Sequence, residues 1–171
     1  YPAKLRGKYS TPINTFNSLI YADPEKTILV GHGKRVAENL VIPEGVSIIE
    51  PYAFLGCEQI KTVEFGPDVE EIGLYAFQNC VNLETMTCDT AVSIIRAGAF
   101  KGCSSLKEAD FSECTISTIG YESFSGCTSL QSVALHETLS DIGERSFEGT
   151  AIKTIEFGKN VNSIGKDAFL N

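Results

Sequence analysis

The chain has 171 residues, 43% hydrophobic and 21% charged, which is long enough for a sizeable core and too apolar for a disordered segment. Its 14 Lys and Arg against 22 Asp and Glu give a net charge of -8, which repels phosphate backbones and anionic headgroups and argues against nucleic acid or a membrane surface as partner. No apolar run reaches the length of a membrane-spanning helix, and no basic-then-apolar leader is recognisable at the start. The start at Tyr1 points to a processed or cloned piece rather than a complete translation product.

The first element predicted in chain order is a hairpin. Two apolar runs, Leu19-Ile20-Tyr21 and Ile28-Leu29-Val30, flank the turn sequence Asp23-Pro24-Glu25-Lys26. Residues 1–36 therefore read as an N-terminal segment that caps the rest of the chain. The stretch "GHGKR" (31–35) has two glycines and two basic residues but lacks the phosphate-loop pattern, and reads as a plain turn.

From residue 37 the chain repeats itself. Phe54, Phe77, Phe100, Phe124, Phe147 and Phe169 stand 23, 23, 24, 23 and 22 residues apart. A small residue precedes each one: Ala53, Ala76, Ala99, Ser123, Ser146 and Ala168. An isoleucine column (Ile49, Ile72, Ile95, Ile119, Ile142, Ile164) and a branched column (Val46, Val69, Val92, Ile116, Leu139, Val161) keep step with them. A fixed period of this length marks a solenoid, in which each unit buries its apolar face only against its neighbours.

Within each unit, triplets such as Ile60-Val63-Phe65 and Leu106-Ala109-Phe111 carry the L-x-x-L-x-L spacing of a leucine-rich-repeat strand with one face buried. A second short extended piece comes next, ending in four units at a glycine (Gly73, Gly120, Gly143, Gly165) that suggests a sharp corner. The Ala-Phe piece is too short for a proper helix and reads as a helical or 3₁₀ turn. Two units are irregular: one gains a residue between Phe111 and Ile119, and one loses a residue between Thr150 and Ile152. Both changes fall at turns, where a solenoid is expected to tolerate them. About six units of ~23 residues fill 37–171, the last incomplete, and about 4.8 Å per coil makes a rod or gentle arc of roughly 29 Å. At Phe169-Leu170-Asn171 either the half-unit is itself the cap or the chain was cut there.

Cys57, Cys80, Cys103 and Cys127 recur once per coil and should form an inward column. Zinc is disfavoured because no C-x₂-C spacing brings four ligands together. Neighbouring thiols about 5 Å apart could in principle bridge, but side chains held parallel by the strands suit a disulfide poorly. Packing as small hydrophobes is the favoured reading. Cys88 belongs to the strand column and is expected to be buried, and Cys114, in the inserted "SECT", to be exposed. The two histidines, His32 and His136, lie about four coils apart, which argues against a Cys-His nucleophile pair, and no EF-hand-like acidic loop occurs.

The units closely resemble the BspA-type, or Treponema pallidum-type, leucine-rich repeats. "VIPEGVSIIEPYAFLGC" (41–57) and "VEFGPDVEEIGLYAFQNC" (63–80) fit that pattern at nearly every defining position, and the likeness covers about residues 37–169. Departures are Cys88 for the usual Ile or Phe, Arg96 for the corner glycine, and Thr150 for the recurring cysteine. The resemblance implies a right-handed leucine-rich-repeat solenoid, mainly β with short helical turns and a parallel sheet on its concave face. It also implies a secreted or surface-displayed protein, with adhesion to host matrix, receptor or other cell-surface protein as the function. It carries no catalytic, metal or cofactor residues to transfer.

On such a sheet the positions flanking the middle apolar residue point outward. Here they read Asn39/Val41, Thr62/Glu64, Thr85/Thr87, Glu108/Asp110, Ser132/Ala134 and Thr154/Glu156. The functional reading is a ribbed platform that docks a protein. The plainer one, favoured for these residues individually, is a solvated β surface without an aromatic or arginine anchor. The expectation is a noncatalytic, monomeric protein-binding module. The alternatives are a spacer or cell-envelope repeat region without a specific ligand, and a targeting domain of a larger enzyme.

Overall fold

A computed structural model of the protein describes residues 19–88 and 91–171. Strands β1 (Leu19–Tyr21) and β2 (Ile28–His32) form an antiparallel hairpin. Its turn is tied by Asp23, whose carboxylate accepts hydrogen bonds from the Thr27 and Ile28 amides at 3.0 and 2.8 Å. Each of the next coils lays down a longer and a shorter strand. These are β3 (Asn39–Val41) and β4 (Ile48–Ile49), β5 (Thr62–Glu64) and β6 (Glu71–Ile72), β7 (Thr85–Thr87) and β8 (Ile94–Ile95), β9 (Glu108–Phe111) and β10 (Thr118–Ile119), and β11 (Ser132–Leu135) and β12 (Asp141–Ile142). The last coil adds only β13 (Ser163–Ile164).

Two sheets result. The longer strands stack in parallel as β3-β5-β7-β9-β11, with Asn39 opposite Thr62 and Leu40 opposite Val63, so the sequence period becomes the strand register. The shorter strands form β1-β2-β4-β6-β8-β10-β12-β13, in which β2 pairs with β4 and so covers the edge of the first coil.

Between the sheets the columns bury completely through the fifth coil, and at the sixth Val161 and Phe169 are half-buried and Ile164 exposed. Phe54, Phe77, Phe100, Phe124 and Phe147 have no exposed surface, and successive rings stack at 4.9, 5.4, 5.2 and 5.3 Å with interplanar angles of 13° or less. Offset stacking adds a specific attraction to the burial of each ring. The ladder is extended at its first rung by His32, whose ring lies 5.5 Å from Phe54 and 7° from parallel. Phe65 and Phe111 meet the ladder edge-on.

The Ala-Phe pieces are turns, and no helix forms among the described residues, contrary to the expectation of helical or 3₁₀ turns. The backbone explains why. Each piece is bounded by left-handed residues, two before the Phe (Tyr52, Tyr75, Gly98, Glu122, Arg145, Asp167) and two after it (Gly56, Asn79, Gly102, Gly126, Gly149). Only three residues between them can be right-handed, too few for a helical turn to propagate.

The corner glycines also have a different cause from the one expected. Gly73, Gly120, Gly143 and Gly165 do not adopt positive φ. A Cβ on Gly73 would lie 2.5 Å from the Ile49 carbonyl oxygen, and one on Gly165 would lie 2.3 Å from the Glu144 nitrogen. At these four corners the neighbouring coil's backbone passes too close for a side chain, whereas the coil at Arg96 accommodates one.

Candidate functional site

The four recurring cysteines are buried and free. Their thiols also do more than fill space: Cys80, Cys103 and Cys127 donate to the carbonyls of Phe54, Phe77 and Phe100 in the preceding coil at 3.2, 3.1 and 3.2 Å. Burial disfavours the thiolate, raising the pKa of Cys57 and Cys103 and pushing Cys80 up to about 12. A protonated thiol is the form that can donate, so packing and hydrogen bonding favour the same state. Thr150, also buried, turns its hydroxyl to the carbonyl of Phe147 in its own turn at 2.9 Å. Among the described residues no group of His, Cys, Asp and Glu is arranged to hold a metal ion.

Cys114 departs from expectation. It is fully buried, and it is bonded to Cys88 across a sequence separation of 26 residues, with Cα atoms 6.6 Å apart. Cys88, half-buried rather than buried, stands in the column that Phe65 and Phe111 occupy in the coils on either side. The smaller side chain leaves room there, and the extra residue of the next coil lets Cys114 turn inward to fill it. The spacing of 26 rather than 23 was the available signal.

The five-stranded sheet places the candidate binding residues as expected up to β11. Thr62 and Glu64, Thr85 and Thr87, Glu108 and Asp110, and Ser132 with Ala134 all alternate outward around the buried Val63, Met86 and Ala109 and the half-buried Val133. Asp110 accepts a 2.9 Å bond from the Ser112 amide, and its carboxyl is held below its usual range by the Ser112 side chain and then by that amide. Beside this face runs a self-neutralising row. Lys61 pairs with Glu38 at 2.9 Å, Lys107 pairs with Glu84 at 2.7 Å, and Glu84 also acts electrostatically on Lys61.

Thr154 and Glu156 are not on this sheet. Residues 151–157 form no strand and β11 is the edge, with an opening of about 370 Å³ lined by Gln131, Ala151, Lys153 and Thr154 beside it. The lost residue between Thr150 and Ile152 is therefore not absorbed by its turn. Phe157 still meets Phe169 edge-on at 5.8 Å, as Phe65 meets Phe77 and Phe111 meets Phe124, but in the last described coil it is 43% exposed, as is the in-register Ile164 of β13 at 51%.

Sequence reasoning missed a second surface, on the ridge of turns beside the eight-stranded sheet. Tyr52, Leu74 and Tyr121 are exposed there, and Tyr52 stacks on Tyr75 at 5.5 Å. Arg96 reaches Glu71 through two bonds of 2.9 and 3.1 Å. Tyrosine and arginine are the residue types that dominate protein interfaces, and the sheet face has neither. The available signal was the apolar or aromatic residue between the corner glycine and the Ala-Phe pair in Gly73-Leu74-Tyr75 and Gly120-Tyr121.

Comparison with known proteins agrees with this architecture. A profile described as BspA type leucine rich repeat region matches residues 33–119 and 113–171, in 6 copies. Among solved structures, the chain is similar to a leucine rich cell surface protein from Faecalibacterium prausnitzii, at 26% identity and TM-score 0.60 over 94% of this chain and 52% of that one. It is also similar to a leucine-rich repeat protein from Eubacterium ventriosum, at 24% identity and TM-score 0.73 over 95% of this chain and 50% of that one. A third is the leucine rich repeat protein of Treponema pallidum, at 22% identity and TM-score 0.57, with 99% of this chain and 66% of that one covered. The chain thus spans 50% to 66% of the length of these structures. No curated protein matches it. With its period, its stacked parallel strands and a profile match across most of its length, the chain belongs to the BspA-type leucine-rich repeat family.

Proposed function

We propose that the chain is a noncatalytic protein-interaction module, monomeric and secreted or displayed at a cell surface, that docks a protein partner on the outward face of its five-stranded sheet. Adhesion to extracellular matrix or to another cell's surface protein is the activity this reading assigns. The segment before residue 37 serves as its cap, and its residues 1–18 lie outside the described residues.

The observation that carries the proposal is the charge on that face. Glu64, Glu108 and Asp110 point outward with no lysine or arginine among the outward residues of the five strands, whereas the adjoining row pairs its charges internally. Thr62, Thr85, Thr87 and Ser132 complete the platform; Thr154 and Glu156 lie off its edge and contribute only at its margin. The stacked core holds the platform in place before binding, so little order has to be gained on association. Two further points favour the location. Disulfides persist in oxidising compartments, which fits the Cys88–Cys114 bond, and the F. prausnitzii relative is described as a cell surface protein.

Surface plasmon resonance against immobilised extracellular-matrix proteins tests this. Saturable binding is expected, weakened at least tenfold by Glu64→Lys with Glu108→Lys. Binding indifferent to that double reversal removes the sheet from the interface, and absence of saturable binding leaves a spacer.

A further inference from the structure

The outer edge of β11 carries backbone donors that find nothing to pair with. In earlier coils the inward residues of the longer strand turn their amides to the next coil: Ile42 donates to the Glu64 carbonyl at 2.9 Å and Phe65 to that of Thr87 at 3.0 Å. Leu135 holds the same position in its own coil. Neither its amide nor that of Val133 has a hydrogen-bond partner among the described residues.

Folded proteins guard such edges with lysine, proline, a bulge or a covering element. The β11 sequence Ser-Val-Ala-Leu has neither lysine nor proline. Its register with β9 runs from Ser132 opposite Glu108 to Leu135 opposite Phe111 without a bulge. Residues 151–157 do not pair with it. The edge is therefore a ready template for one more strand, and the half-buried Val133 and Leu135 leave apolar surface for that strand to cover.

Side-chain size and charge select the occupant. The outward residues of β11 are Ser132 and Ala134, both small, and directly opposite them on β9 stand Glu108 and Asp110. A strand added at the open edge lies two strand spacings from β9, about 9.6 Å. An extended lysine or arginine on its outward face crosses over Ser132 or Ala134 and meets the carboxylate beyond. The chain's own next segment is a poorer match, because in register it sets Glu156 beside Ala134 and adds a third negative charge to that pair. We infer that a protein partner adds an extended strand to the open edge of β11, with basic residues at its outward positions and apolar residues between them. This rests on the acidic-face reading above and deepens it: main-chain bonds along β11 fix the partner's register, while Glu108 and Asp110 select its sequence.

The test is a titration of the isotope-labelled chain with the peptide acetyl-Lys-Val-Lys-Val-Lys-Val-amide, followed by amide exchange. Saturable binding is expected, with exchange at Val133 and Leu135 slowed at least tenfold. Replacing the peptide's lysines by glutamates should weaken it at least tenfold, and N-methylating its backbone amides, which keeps the charge, should do the same. Val133→Pro removes an edge-facing amide without breaking a bond inside the sheet and should abolish the slowing at Leu135; the N-methylated peptide decides the matter if that variant does not fold. Glu64, three strands away, serves to separate this inference from the reading it rests on. If immobilised matrix proteins bind Val133→Pro normally but lose affinity for Glu64→Lys, the edge inference falls and the face reading stands. If they lose Val133→Pro and tolerate Glu64→Lys, the broad face falls and the edge stands. Binding that survives N-methylation overturns the assignment. So does slowing that grows with the chain's own concentration in the absence of peptide, which puts a second copy on the edge.

Discussion

Two coils break the period, and the structure treats them oppositely. The coil that gains a residue between Phe111 and Ile119 keeps both of its strands, and its surplus carries Cys114 inward to bond Cys88. The coil that loses a residue before Ile152 keeps β13 but forfeits its longer strand, leaving β11 unpaired on one edge. A surplus residue can bulge or be packed. A missing one cannot be supplied from elsewhere, because the two ends of the segment are fixed by the coil below. A solenoid of this kind tolerates insertion at a turn better than deletion.

The sharpest way to break that contrast is to truncate the same column in both coils. Phe111→Ala should cost about 3–5 kcal/mol, as for a fully buried ring, while Phe157→Ala should cost about 1 kcal/mol or less. Urea melts of the two variants decide it, and equal losses would mean that the sixth coil is as well packed as the fourth.

Next in size is the bond that accompanies the insertion. Cys88→Ser with Cys114→Ser should lower stability by about 3 kcal/mol, the loop-closure contribution of a bridge across some 26 residues. Thiol labelling distinguishes the two classes of cysteine. After mild reduction of the folded protein, Cys88 should react ahead of Cys57, Cys80, Cys103 and Cys127. Rapid labelling of the buried four without unfolding would contradict their role as packed hydrogen-bond donors.

The smallest expected effect runs the other way. Inserting one serine between Ala151 and Ile152 restores the spacing of the intact coils and should let 152–157 zip onto β11, pairing its open edge for a gain of about 1–2 kcal/mol. Slower amide exchange across β11 reports it; unchanged exchange would mean that something other than length unseats the strand.

Much of this was legible in the sequence, because a repeat converts period into register. The Phe, Ile and Val columns, the hairpin at Leu19 to His32 and the outward placement of Thr62 through Ser132 follow from spacing alone. What was not legible depends on contacts between coils. Cys114 looked exposed because it lies in an insertion, and nothing local reveals the space left by Cys88. The glycines at 73 and 165 looked like turn residues, but the backbone of the adjoining coil is what excludes a side chain.

The row Glu38, Lys61, Glu84, Lys107 has one more consequence. Repeats this alike invite a mistake during folding, in which a coil skips its neighbour and stacks on the one after. Skipping one coil would set Glu38 against Glu84 and Lys61 against Lys107, like charge on like. The alternation that contributes little to the finished stack thus works as a parity check on its assembly, penalising a stacking that skips one coil of the row.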